Sequence, residues 1–169
     1  EAYLSDHFPF RINWVKAKMT AERLSGKSAI NNIYICSDRM LEKLPEPDYR
    51  EINLSVNAVN KFSDTYDTEV YALIAPTSAG IYGDELKDYF PQINQKSLIA
   101  DIYNKLNEDI GVIDIWDAMY TERDKYLYYR TDHHWTSEGA FTAYKYAAKK
   151  MGITSFEDYD IIHVSSDFR

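Results

Sequence analysis

Between Tyr128 and Ala140 the chain reads Tyr-Tyr-Arg-Thr-Asp-His-His-Trp-Thr-Ser-Glu-Gly-Ala. Asp132 and His134 are two residues apart, and in an extended turn such residues project to the same side of the chain. Asp132 can then accept a hydrogen bond from one ring nitrogen of His134. The other nitrogen is left to take a proton from a nucleophile, which is the orienter-and-base half of a hydrolase-type triad. In that geometry His133 projects the opposite way and serves as support or packing, while Trp135 can wall the imidazole off from water. Two other readings use the same residues. The Asp-x-His pair can simply cap the following helix and satisfy a buried histidine. Alternatively, Asp132, His133 and His134 offer oxygen and nitrogen ligands to a metal. Adjacent histidines rarely converge on one ion and no second cluster is obvious, so no metal and no cofactor are assigned. His7 and His163 are lone histidines of surface or structural type.

The surrounding pattern predicts the elements that must position this turn. A helix is expected over about 8–25, with Ile12, Val15, Met19 and Trp14 on its apolar face, Pro9 in its first turn and Gly26 as its stop. Asn32 to Cys36 reads as a strand, Pro45 to Asp48 as a loop, and Tyr49 to Tyr66 as a helix through Ile52, Val56, Val59 and Phe62. Glu69 to Ala75 is a near-continuous apolar strand ended by Pro76. A helix over about Asn94 to Asn107 is expected to bury Leu98, Ile102 and Leu106. Val112 to Ile115 is the next strand, and Ala118 to Arg123 a short helix. The last helix runs from about Thr136 to Met151, capped by Thr136 or Ser137 and stopped by Gly152. Helix and strand alternate, which points to a parallel sheet flanked by helices in one domain spanning 1–169. In such sheets ligands bind where the loops leave the strand ends. Those loops here are Pro76 to Gly80, Asp114 to Asp117 and Tyr129 to Ser137.

Composition narrows the function classes. The 169 residues suffice for one domain with a sizeable core, and the net charge of −8 argues against nucleic-acid binding. No apolar run approaches the roughly 18 residues that span a bilayer. The single cysteine, Cys36, excludes a disulfide within the chain and reads as a buried strand residue. Tyrosine is abundant, 15 residues against 7 Phe and 3 Trp. Such rings suit polar, carbohydrate-facing clefts but also pack sheet edges and helix flanks. The chain starts at Glu1 without a methionine or signal peptide, as expected if an export signal was removed or the chain is an excised fragment.

The run Tyr128 to Ala140 resembles the signature of the DHHW family, bacterial proteins expected to be exported. Tyr3 to Arg11 resembles that family's opening Y-x-x-D-x-F-P-x-R, and Leu73 to Thr77 its central strand followed by Pro-Thr. The family is similar in turn to SGNH-hydrolase-like O-acetyltransferases of exopolysaccharides such as alginate. In those enzymes an Asp-x-His-Trp turn supplies the orienting Asp and the general-base His. The resemblance therefore implies these roles for Asp132 and His134. It also implies a three-layer α/β/α fold with a mostly parallel sheet (flavodoxin-like), a Ser-His-Asp triad and an acetyl-enzyme intermediate. Arg130, Trp135, Thr77 and Tyr129, in the loops around the pair, are the candidate substrate contacts.

One element of that pattern is missing. The acetyltransferases carry their nucleophile in a Gly-Asp-Ser-like motif downstream of the turn. Here Gly83-Asp84 is followed by Glu85, and Ser165 and Ser166 lack the glycine-bearing turn. The expectation is that the serine segment lies beyond Arg169; Ser78 is an outside candidate. The sequence thus supports an O-acetyltransferase or esterase of the cell envelope or extracellular space, acting on polysaccharide or another acetylated glycan with an unassigned acetyl donor. The rival is a non-catalytic SGNH-like module that binds glycan or a partner through its tyrosine-rich loops.

Overall fold

Helix boundaries follow from local capping. The computed structural model describes residues 9–26, 29–30, 32–36, 38–85 and 93–155. His7, His163, Ser165, Ser166 and most of the Tyr3 to Arg11 segment lie outside these. The six α-helices among the described residues are α1 (Arg11–Leu24), α2 (Tyr49–Thr65), α3 (Ser78–Ile81), α4 (Gln95–Tyr103), α5 (Trp116–Thr121) and α6 (Ser137–Lys150). Asp48, Thr77, Asn94 and Thr136 cap α2, α3, α4 and α6, each accepting backbone N–H groups that the first turn would leave unpaired. At the far end of α6, Gly152 takes φ +67°. There Ile153 N–H donates to Ala148 O and Gly152 N–H to Lys149 O, a left-handed stop that a side chain would strain.

The strands are short and fall into two sheets. β1 (Ala29–Ile30), β2 (Ile33–Ile35) and β3 (Met40–Glu42) form an antiparallel sheet in that order. β4 (Tyr71–Ala72) and β5 (Gly111–Val112) pair in parallel, joined by a crossover that carries α3 and α4. The domain is therefore mixed α/β, and the mostly parallel sheet expected from the order of elements is not what the described strands form. Asn32 to Cys36 does contain a strand. It pairs with its sequence neighbours because the chain turns back on either side of it, and hairpin partners lie closer than a crossover partner. Among the described residues only the 69–75 and 112–115 segments meet as a parallel pair, extended by Gly111 N–H to Val70 O and Ile113 N–H to Ala72 O.

The core lies between these sheets and α3 to α6. Leu41, Ile81, Ile115, Met119 and Leu127 are fully buried at its centre. The α4 face turned to it carries Ile99 and Tyr103, one step along from the expected Leu98 and Ile102, which are half-buried. Four tyrosines belong to the core rather than to a cleft: Tyr34, Tyr82, Tyr103 and Tyr128. A buried phenol needs a partner. Tyr103 OH accepts from Ile74 N–H at 2.8 Å and donates to Ile113 O at 3.2 Å, which ties together the exits of β4 and β5. Tyr82 OH donates to Arg123 O. Cys36 is half-buried just past β2. By contrast Trp14, Val15 and Met19 on α1 are exposed, so its expected apolar stripe is not covered by the described residues.

Candidate functional site

The Asp-His-His-Trp segment is the tip of a tight hairpin. Thr136 N–H donates to Leu127 O at 2.8 Å and Tyr129 N–H to His134 O at 3.1 Å, with Tyr128 and Trp135 bridged between them. Both strands of the hairpin base are anchored. Leu127 and Tyr128 are buried, and Tyr128 OH donates to Pro76 O at 2.6 Å, pinning the hairpin to the loop after β4. Burial holds the Tyr128 phenol in its neutral form, raising its pKa well above the usual value. Thr136 caps α6 through Gly139 N–H and donates its hydroxyl to Tyr126 O. At the hairpin tip, Met40 N–H donates to Arg130 O at 2.7 Å, so β3 braces the turn from outside.

Within the tip, Asp132 folds back on His134. One carboxylate oxygen, Oδ1, accepts the His134 backbone N–H at 2.8 Å and lies 2.6 Å from His134 Nδ1. The first bond is an Asx turn, in which a short carboxylate replaces the backbone acceptor two residues on. These two bonds, the backbone one foremost, hold the Asp132 carboxyl below the usual carboxylate range. A carboxylate only accepts, so Nδ1 carries the proton and Nε2 of the neutral ring is an acceptor. Among the described residues no side chain hydrogen-bonds to Nε2. The arrangement can therefore orient an imidazole and leave its other nitrogen ready to receive a proton.

His133 does not point away. Its ring centroid is 4.1 Å from that of His134, and its Nδ1 lies 3.8 Å from Asp132 Oδ1 and 3.9 Å from Glu42 Oε2 on β3. Side-chain alternation belongs to extended backbone, and residues 130–134 form a bend instead. With both rings on one side, Asp132, His133 and His134 place three ligand atoms within 4.8 Å of one another. All three residues are exposed, and the Asp132 oxygen that would serve an ion is already engaged by His134.

The remaining sequence candidates scatter around the hairpin. Arg130 is exposed and pairs with Asp38 at 3.3 Å. Tyr129 is exposed and meets Tyr126 edge to face at 6.0 Å. Trp135 is half-buried and packs on the core, so it supports the hairpin from below while the His134 side chain stays 66% exposed. Thr77 is occupied locally: its hydroxyl caps α3, and its N–H donates to Gln95 Oε1. Ser78 is 3% exposed at the start of α3, and no hydrogen bond joins it to His134. The residues that sequence reasoning passed over are Arg39, Arg123 and Lys125, which with Ser78 and Arg130 line a 220 Å³ pocket beside the hairpin. No spacing rule marks them, because Arg39 precedes β3 and the others come from a loop some 80 residues away.

Hairpin and core together define a mixed α/β domain that presents an Asp–His pair on a braced turn. Residues 20–166 match the family of DHHW proteins, and the chain belongs to it. Three solved structures are similar. Bacillus cereus PatB1 with a sulfonyl adduct shares 22% identity and a TM-score of 0.63, over 80% of this chain and 49% of that one. A DHHW family protein from Eubacterium siraeum shares 21% at a TM-score of 0.64, over 76% and 43%. A second Bacillus cereus PatB1 structure shares 25% at a TM-score of 0.60, over 71% and 42%. The chain thus spans less than half the length of each of these three structures. Among curated proteins none matches it in sequence.

Proposed function

We propose that this domain carries the acid–base half of a serine-dependent acyl-transfer site of the bacterial cell envelope, acting on O-acetyl groups of polysaccharide. The observation that carries the reading is the 2.6 Å contact between His134 Nδ1 and Asp132, with Nε2 left without a side-chain partner. In the proposed reaction a serine hydroxyl gives its proton to Nε2 as its oxygen attacks the acetyl carbonyl carbon. Asp132 stabilises the imidazolium that forms. Collapse of the tetrahedral intermediate returns that proton to the departing alkoxide and leaves an acetyl-serine. A sugar hydroxyl or water then gives its proton to Nε2 as its oxygen attacks the acetyl-serine carbonyl; the serine oxygen leaves and takes that proton back, which makes the protein a transferase or an esterase. Membership of the DHHW family, with its resemblance to SGNH-like O-acetyltransferases in a three-layer α/β/α fold, supports this reading. So does likeness in fold to Bacillus cereus PatB1, one structure of which carries a sulfonyl adduct.

Hydrolysis of an aryl acetate by a longer form of the protein that includes the serine segment tests the reading. His134→Ala should lower turnover on the order of 10²–10⁴-fold and Asp132→Asn comparably, with folding intact. Turnover that survives His134→Ala would sink the assignment. The rival, a glycan- or partner-binding module without catalysis, draws on the absence of a hydroxyl at Nε2 among the described residues. Saturable glycan binding with no acetate release by either route would favour it.

A further inference from the structure

β4 has the sequence of an interior strand and the position of an edge strand. Val70 to Ala75 carries no charge and no proline, the pattern of a strand covered on both faces. Exposed edges are normally guarded by charge, proline or a bulge. Yet none of these six residues is buried. On one side, Val70 O and Ala72 O accept from Gly111 and Ile113 N–H. Alternate residues of a ladder turn their N–H and C=O the other way, so those of Tyr71 and Leu73 face away from β5. Among the described residues Leu73 makes no backbone hydrogen bond.

A groove of 530 Å³ runs along that free side. Its floor is the four consecutive residues Tyr71 to Ile74, and its walls include Ile52, Val56 and Val59 of α2 and Ile102 of α4. Successive side chains of a strand point to opposite faces. A groove bordered by four in a row therefore follows the strand's edge rather than one face. α2 does not sink onto β4 to fill it, because its end is tied to the loop between α4 and β5. Asn60 donates to Lys105 O at 3.0 Å and accepts from Asn107 N–H at 2.9 Å, and the Ser63 hydroxyl donates to Asp109.

We infer that this edge receives an apolar β-strand from the part of the protein outside residues 1–169. The strand bonds the backbone of Tyr71 and Leu73 and buries its side chains against α2. The length of the relatives names the occupant: this chain covers only 49%, 43% and 42% of the three structures it resembles. A second copy of the chain suits the edge less well, since each copy brings a net charge of −8. β4 runs out at Pro76, whose carbonyl Tyr128 OH ties to the Asp132–His134 hairpin. A strand at this edge thus borders the candidate site, although its docking does not depend on acyl-transfer chemistry.

Amide hydrogen exchange, compared between residues 1–169 and a longer form of the protein, tests the docking. The Leu73 amide should exchange freely in the shorter chain and become protected in the longer one. The Gly111 amide, already bonded to Val70 O, should be protected in both. Val59→Asp should lower the melting temperature of the longer form by roughly 4–8 °C and hardly move that of the shorter. Leu54→Asp, exposed on α2 but outside the groove, should spare both. Free exchange of Leu73 in the longer form, or equal shifts of the two forms with Val59→Asp, would overturn the inference. So would protection of Leu73 already present in the shorter chain, or protection that rises with its concentration, the sign of a second copy. His134→Ala should leave Leu73 protected in the longer form, so failure of the catalytic reading and failure of this one give different results.

Discussion

The two ends of one hairpin are built on opposite principles. At its base Leu127, Tyr128, Thr136 and Gly139 are buried against α6 and the loop after β4. At its tip Arg130 to His134 are all exposed and are ordered by short-range bonds, chiefly those of Asp132. Substitutions at the base should therefore be read out in stability, and substitutions at the tip in chemistry. The acid–base role proposed for the pair needs this division, because a group that must meet a substrate cannot also be a core residue. The precision of its placement then has to come from the elements beneath it.

The largest effect that could break this comparison is at Gly139. A Cβ there would lie 2.2 Å from Leu127 O, a backbone atom that cannot swing aside, and 3.1 Å from Trp135 Cβ. Gly139→Ala should cost about 3 kcal/mol, read as a fall in Tm of roughly 6–12 °C for a chain of this size. A melting curve that does not move would show that the base is not close-packed. Next is Tyr128→Phe, which leaves Pro76 O without its buried donor. A loss of about 1–2 kcal/mol is expected in chemical denaturation, and none at all would mean that water replaces the phenol.

The smallest stability effect at neutral pH should come from Asp132→Asn, because the tip is exposed. Its signature is instead electrostatic. The folded carboxyl titrates below its ordinary value, so its stabilising bonds are fully present above the unfolded pKa of about 3.9 and are lost as pH falls through the folded value. The His134 amide resonance should shift with a midpoint below that ordinary value, and the inflection should vanish in Asp132→Asn. A midpoint at the ordinary value would remove the Asx turn from the account of the site.

What was legible in the chain beforehand was local. The Asp132–His134 contact, the cap of α6 at Thr136 and its stop at Gly152 involve groups two to five residues apart, whose types and spacing alone bring them together. Apolar periodicity likewise located the other helices to within a few residues but missed α3, which falls where a loop was expected, and on α4 it chose the wrong line, since half-buried Leu98 and buried Ile99 are adjacent and equally apolar.

The sequence by itself determined that Asp132 and His134 meet through the carboxylate and one ring nitrogen, and the structure shows that nitrogen to be Nδ1. Tertiary structure decided which strands pair, so that β2 joins an antiparallel sheet rather than the parallel one expected for it. It also decided that His133 stacks beside His134, that Gly139 must lack a side chain, and that Arg39 and Arg123 meet at one pocket. Each of these depends on backbone direction or on contacts between distant segments. Residue type and spacing carry little information about such contacts, because a cation or a glycine looks the same in a loop whether or not another segment folds against it.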